Sequence, residues 1–94
     1  MTIIYDALLK VQGRTEVKYI RLDSSDEAKE MLLVMQKYVK ENGFTYRRPE
    51  GRFAINDIIL RKRDNDGKII QDIPYCKLFD TATDKLLKDG SEDI

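Results

Sequence analysis

Residues 23–43 read DSSDEAKEMLLVMQKYVKENG, and this is the only long stretch of the chain with a 3.6-residue apolar period. Ala28, Met31, Leu32, Met35, Tyr38 and Val39 fall on one stripe, about 120° wide at roughly 100° per residue. A stripe of that width suits burial against a sheet better than the narrower seam of a coiled coil. Ser24 followed by Glu27 has the spacing of a capping box. Asp26, Glu27 and Glu30 favour the positive end of a helix dipole, and Lys37 and Lys40 favour the negative end. Asn42-Gly43 supplies a left-handed stop. Val34 lies on the flank of the stripe. Leu33 lies on the far side among Lys29, Glu30, Lys37 and Lys40, which makes it a candidate protein contact.

On either side of this helix the pattern is strand-like. From Thr2 to Val11 the apolar residues Ile3, Tyr5, Ala7, Leu9 and Val11 alternate, with Asp6 and Lys10 on the opposite face among Ile4 and Leu8. Gln12-Gly13-Arg14 reads as a turn into a second strand, Thr15 to Leu22, and the two make a hairpin. After the helix, Phe44 to Arg48 is a short strand ended by the turn Pro49-Glu50-Gly51. Arg52 to Arg63 is a long strand whose alternation breaks: Phe53 and Ile55 keep one parity, Ile58 and Leu60 the other. One extra residue near Asn56-Asp57 repairs the pattern, so a bulge is predicted there. Asp64-Asn65-Asp66-Gly67 is the strongest turn signal in the chain. It leads into a last strand, 68–73, which Pro74 confines to an edge or ends. Asp80 then caps a predicted short helix from Thr81 to Lys88, stopped by Gly90.

The predicted fold is therefore α+β in two layers. A mainly antiparallel sheet of four to five strands packs on one long amphipathic helix, in the order ββαβββα. Residues 1–90 form one domain, and residues 91–94 are read as a loose acidic tail.

Composition removes several classes of function. Seventeen basic and seventeen acidic side chains balance, so the chain as a whole is not steered towards nucleic acid or an anionic membrane. Apolar runs are too short to span a bilayer and no leader pattern opens the chain, so the expected location is cytoplasmic. A single cysteine, Cys76, allows no internal disulfide. It is read as a small buried hydrophobe, and without a histidine it has no partner for a nucleophilic relay. Asp64 and Asp66 have the spacing of two calcium ligands, but Lys68 and Tyr75 stand where further oxygen ligands belong. Glycine-rich phosphate loops and zinc-ligand spacings are absent. Asp57 is the acid most open to burial, and backbone hydrogen bonding at the bulge is its simplest use. No catalytic residue, metal or cofactor is predicted, and the chain is read as not an enzyme.

What remains is binding. Residues 44–68 concentrate Arg47, Arg48, Arg52, Arg61 and Arg63, with Tyr46 and Phe53 close by. If these gather at one sheet edge, guanidinium groups and exposed rings make a platform for single-stranded nucleic acid. An acidic protein surface meets the same patch. The leading expectation is a small interaction or regulatory protein, engaging a protein partner or a second copy of itself. Single-stranded nucleic acid is the alternative, with no membrane and no metal involved.

Overall fold

The structure, a computed structural model, describes residues 2–13 and 15–88. The predicted acidic tail, and Gly90 as a helix stop, lie outside them. Strand β1 (Ile4–Gln12) and strand β2 (Val17–Ser25) form the first hairpin, followed by helix α1 (Ala28–Asn42). Strands β3 (Thr45–Arg48), β4 (Gly51–Arg63) and β5 (Ile69–Pro74) and a one-turn helix α2 (Tyr75–Leu78) complete the order ββαβββα. All pairings are antiparallel, and the sheet runs β2-β1-β4, with β3 and β5 both on β4. At Ile55, β4 pairs with Val11 of β1 and donates its N–H to the Phe44 carbonyl (3.1 Å). Strands β3 and β5 therefore lie end to end along the edge of β4 opposite β1.

Helix α1 covers one face of this sheet. Met31, Leu32 and Met35 are buried against Ala7 and Leu9 of β1, Ile55, Ile58 and Leu60 of β4, and Ile73 of β5, while Tyr38 and Val39 pack at the margin. Burying each of these side chains contributes about 1.5–3 kcal/mol, so this interface is the main source of cohesion. Gly43 ends the helix at φ 65°, returning its N–H to the Val39 carbonyl. The start differs from the predicted capping box. Strand β2 runs on through Ser25, so Glu27 stands at the N-cap with no side-chain cap bond, and Ser25 ties the entry to the helix in another way. Its hydroxyl accepts from the Glu27 N–H (3.1 Å) and donates to Glu30 Oε2 (2.7 Å). Ser24 turns to the sheet, where Arg63 donates to it (3.4 Å).

The parity break in β4 is a bulge. Val11 pairs with Ile55 and Lys10 with Asp57, which leaves Asn56 as the extra residue. It lets Phe53, Ile55, Ile58 and Leu60 share the helix-covered side. Asp57 is half-buried and accepts the Ile58 N–H on its own Oδ1 (2.8 Å). A second irregularity leaves Leu22 unpaired in β2.

The C-terminal part departs from expectation. The predicted helix over 81–88 is replaced by a turn at 81–83 and an isolated bridge between Leu86 and Phe79. Helix forms earlier, at Tyr75–Leu78, where Tyr75, Leu78 and Phe79 supply the apolar anchors that the later segment lacks. This one-turn helix points Cys76 outwards, so the thiol is exposed rather than buried. Asp84 adopts φ 58° and is held on three sides: its N–H reaches the Asp80 carbonyl (2.7 Å), its carbonyl accepts from Gln36 of α1 (3.0 Å), and its Oδ1 accepts from the Tyr75 hydroxyl (3.0 Å).

Candidate binding cleft

The five arginines do not converge. Arg52 and Arg61 are nine residues apart on one strand, about 30 Å at ~3.3 Å per residue. Alternation, with the Asn56 bulge, places Arg61 and Arg63 on the sheet face away from α1. Both are engaged there. Arg61 forms a fork with Asp72 (Nε–Oδ1 2.9 Å, Nη2–Oδ2 3.1 Å). Arg63 forms one with Asp6 (Nε–Oδ2 2.7 Å, Nη2–Oδ1 3.4 Å).

Among the described residues, Asp6 rather than Asp57 is the buried acid. Burial alone would raise its pKa. Hydrogen bonds from Arg63 and Ser24, with the charges of Arg21 (3.7 Å) and Arg63, outweigh that and hold it below the ordinary aspartate value. Arg61 also lies over the ring of Tyr19, with Cζ 4.7 Å from the centroid. Tyr19 is on β2 and Arg61 on β4, so the two meet across β1 above Leu8. This explains why Leu8 and its cross-strand partner Ile59 are buried on a face with no second helix. Arg61 and Arg63, predicted as ligand contacts, each hold a carboxylate of a neighbouring strand. Stacked rings and paired guanidinium groups roof an otherwise open sheet face.

Tyr46, Arg48 and Phe53 do come together. Tyr46 is directly opposite Phe53, and Arg48 follows two residues along on the same side. Pairing between β1 and β4 stops at Val11–Ile55, and beyond it the β1–β2 and β3–β4 hairpins project as two arms. A side-chain bond from Asn56 to Gln12 (3.3 Å) closes the crotch between them. The cleft between the arms has a volume of about 240 Å³ and is lined by Val11, Gln12, Gly13, Lys18, Tyr19, Ile20, Tyr46, Arg48 and Phe53. No residue of α1 reaches it. Val11, Ile20 and Tyr46 are continuous with the core, while Phe53 is 43% exposed. Arg48 stacks on the Tyr46 ring, with Cζ 5.3 Å from the centroid. Among the described residues, two cations and no carboxylate line the cleft, so its potential favours an anion. Glu16, 3.8 Å from Lys18, stands outside the lining.

Arg47 and Arg52 face each other on the reverse side of the same arm, exposed. Lys18, Val11 and Ile20 were not among the residues singled out from the sequence. Only the alternation of β2, which sets Lys18 and Ile20 on one side, carried a signal for them. Leu33 stands 64% exposed on α1, as the helical stripe implied, and lies away from this cleft.

Among the described residues, no group of three or more potential ligands is placed to hold a metal ion, and no helix is long and apolar enough to cross a membrane. The class that fold and cleft define is a two-layer α+β protein with an open sheet arm. Comparison with protein-family models, curated proteins and solved structures gave no match for this chain.

Proposed function

We propose that this chain is a non-catalytic binding module that holds an acidic segment of a protein partner in the cleft between its two hairpin arms. One observation carries the reading: an apolar, partly aromatic floor (Val11, Ile20, Tyr46, Phe53) lies under two cations, Lys18 and Arg48, with no acid among the described residues of the lining. Its volume of about 240 Å³ is below the ~300–1,000 Å³ of clefts that enclose a whole small-molecule ligand. It suits one anchoring side chain of a larger partner, with carboxylates of the same segment meeting Arg48 and Lys18. Tyrosine and arginine are also the residue types that dominate binding energy at protein interfaces.

Single-stranded nucleic acid is the second reading, favoured by the ring–guanidinium stack of Tyr46 and Arg48. It is ranked lower because the chain carries no net charge and because Arg61 and Arg63 are committed to Asp72 and Asp6. Fluorescence anisotropy with a labelled acidic peptide bearing one aromatic residue, beside a labelled oligonucleotide of random sequence, separates the two. The proposal expects saturable peptide binding that Phe53→Ala and Arg48→Glu each weaken at least tenfold. Binding of the oligonucleotide alone, with log affinity falling linearly against log salt, supports the second reading instead. Binding of neither probe removes both.

A further inference from the structure

The outward face of α1 carries a charge pattern complementary to itself when turned end for end, and we infer that two copies of this chain pair there, antiparallel, about Leu33. At roughly 100° per residue, Glu30 and Lys37 lie on the same side of the Leu33 meridian, one turn below it and one turn above. Lys29 and Gln36 lie on the other side in the same way, and Lys40 stands nearly on the meridian, two turns above. A two-fold axis perpendicular to the helix at Leu33 keeps the side and reverses the height. It therefore sets Glu30 against Lys37 of the second copy, Lys29 against Gln36, and Leu33 against itself. Each charged contact occurs twice, as an isologous interface requires. A parallel pairing reverses the side instead: it sets Glu30 against Lys29 of the second copy but Lys40 against Lys40 near the meridian, a like-charge contact that the antiparallel arrangement avoids.

The surface is open to such a contact. Leu33 is 64% exposed and Leu86, beside it, 46%. A shallow apolar groove lined by Lys29, Leu32, Leu33, Gln36, Phe79 and Leu86 joins the two. Lys29, Glu30, Lys37 and Lys40 are all exposed. Glu30 gives only Oε2 to Ser25, so Oε1 points free of that bond. One helix face with a pair of leucines per copy is small against the ~1,200–2,000 Å² of a stable interface. The dimer is accordingly weak, forming in the micromolar range or above. This surface is separate from the cleft, and the inference stands whether or not the cleft binds a partner.

Sedimentation velocity on the full chain, from low micromolar to near-millimolar concentration, gives the first reading: the mass rises from monomer towards dimer. Charge exchange then tests the geometry. Glu30→Lys alone and Lys37→Glu alone each place like charges opposite one another and shift the midpoint at least fivefold to higher concentration. An equimolar mixture of the two single variants restores association, and so does the double variant Glu30→Lys/Lys37→Glu. Circular dichroism checks that each chain is folded. Should Glu30→Lys disturb the helix start, Leu33→Asp, at an exposed position, reads the centre of the same contact and should keep the mass monomeric throughout. A monomeric mass at every concentration overturns the inference. So does association that ignores the swaps, or a mixture no more associated than its components.

Discussion

Asp6 is where the chain departs furthest from the rule that strands bury apolar side chains. Its carboxylate is buried and answered by Arg63 and Arg21, so removing the charge leaves guanidinium groups facing one another without an anion. Breaking a buried pair typically costs 3–5 kcal/mol, and because Arg63 keeps some access to water we expect about 2–3 kcal/mol for Asp6→Asn in urea unfolding. The pH dependence has a definite sign. The folded pKa lies below the unfolded value of ~3.9, so this contribution is present above about pH 4 and lost as pH falls through the folded value. The wild type should therefore lose more stability than Asp6→Asn across that acid window. Equal losses would show that the pairing does not act on folding. Tyr75 gives the converse. Burial, then the hydrogen bond to Asp84 and its charge, push its hydroxyl up to about 12. Its contribution is present below the ordinary tyrosine value of ~10 and is lost as pH rises towards 12. An ultraviolet titration should show a late ionisation as pH approaches 12, and Tyr75→Phe should remove that late step. Asp84 accepts this bond while in a left-handed conformation that asparagine also tolerates. Asp84→Ala, which loses both, should cost about 2 kcal/mol, and Asp84→Asn clearly less.

At the scale of elements, α1 and the bulge in β4 were legible because each rests on local periodicity. The stripe of α1 named Met31, Leu32 and Met35 as core, and the parity break placed the extra residue at Asn56-Asp57. What was not legible depended on neighbours distant in sequence. Ser24 does not cap the helix because β2 extends further than its apolar pattern, and Glu27 stands at the N-cap instead. The segment 81–88 has helix formers but only Leu86 and Leu87 as apolar contacts, whereas Tyr75 and Leu78 are drawn into the core first. Asp6 could not be recognised as buried without Arg63, fifty-seven residues away. Arg61 and Arg63 looked like ligands because their partners, Asp72 and Asp6, come from other strands. The bulge also yields a prediction of its own. Deleting Asn56 makes the β1–β4 ladder regular without moving Ile55 or Ile58 off the core side. It should therefore leave a cooperatively unfolding protein whose outer hairpin arm is re-aimed. Retained thermal cooperativity with at least tenfold weaker peptide binding is the expected result. Unchanged binding would mean that the bulge does not shape the cleft.

For the molecule as a whole, the sheet does two jobs with its two ends. The end beneath α1 is closed by Met31, Leu32 and Met35. Beyond the last β1–β4 pair the hairpins part, and the same face that is core elsewhere becomes a cleft with Phe53 open to solvent. Core packing thus fixes where Tyr46 and Arg48 sit. The far face, which no described helix covers, is roofed by Tyr19, Arg61, Arg63 and the acids paired with the two arginines, while the arms keep an unmet apolar surface at Phe53. The most direct measurement is amide chemical-shift mapping on the uniformly labelled chain, titrated with the acidic, aromatic-bearing peptide. The account predicts saturable shifts concentrated at Val11, Gly13, Lys18, Ile20, Tyr46, Arg48 and Phe53, with residues around Asp6 and Leu33 unmoved. Shifts centred anywhere else on the chain, or none at saturating peptide, would contradict it.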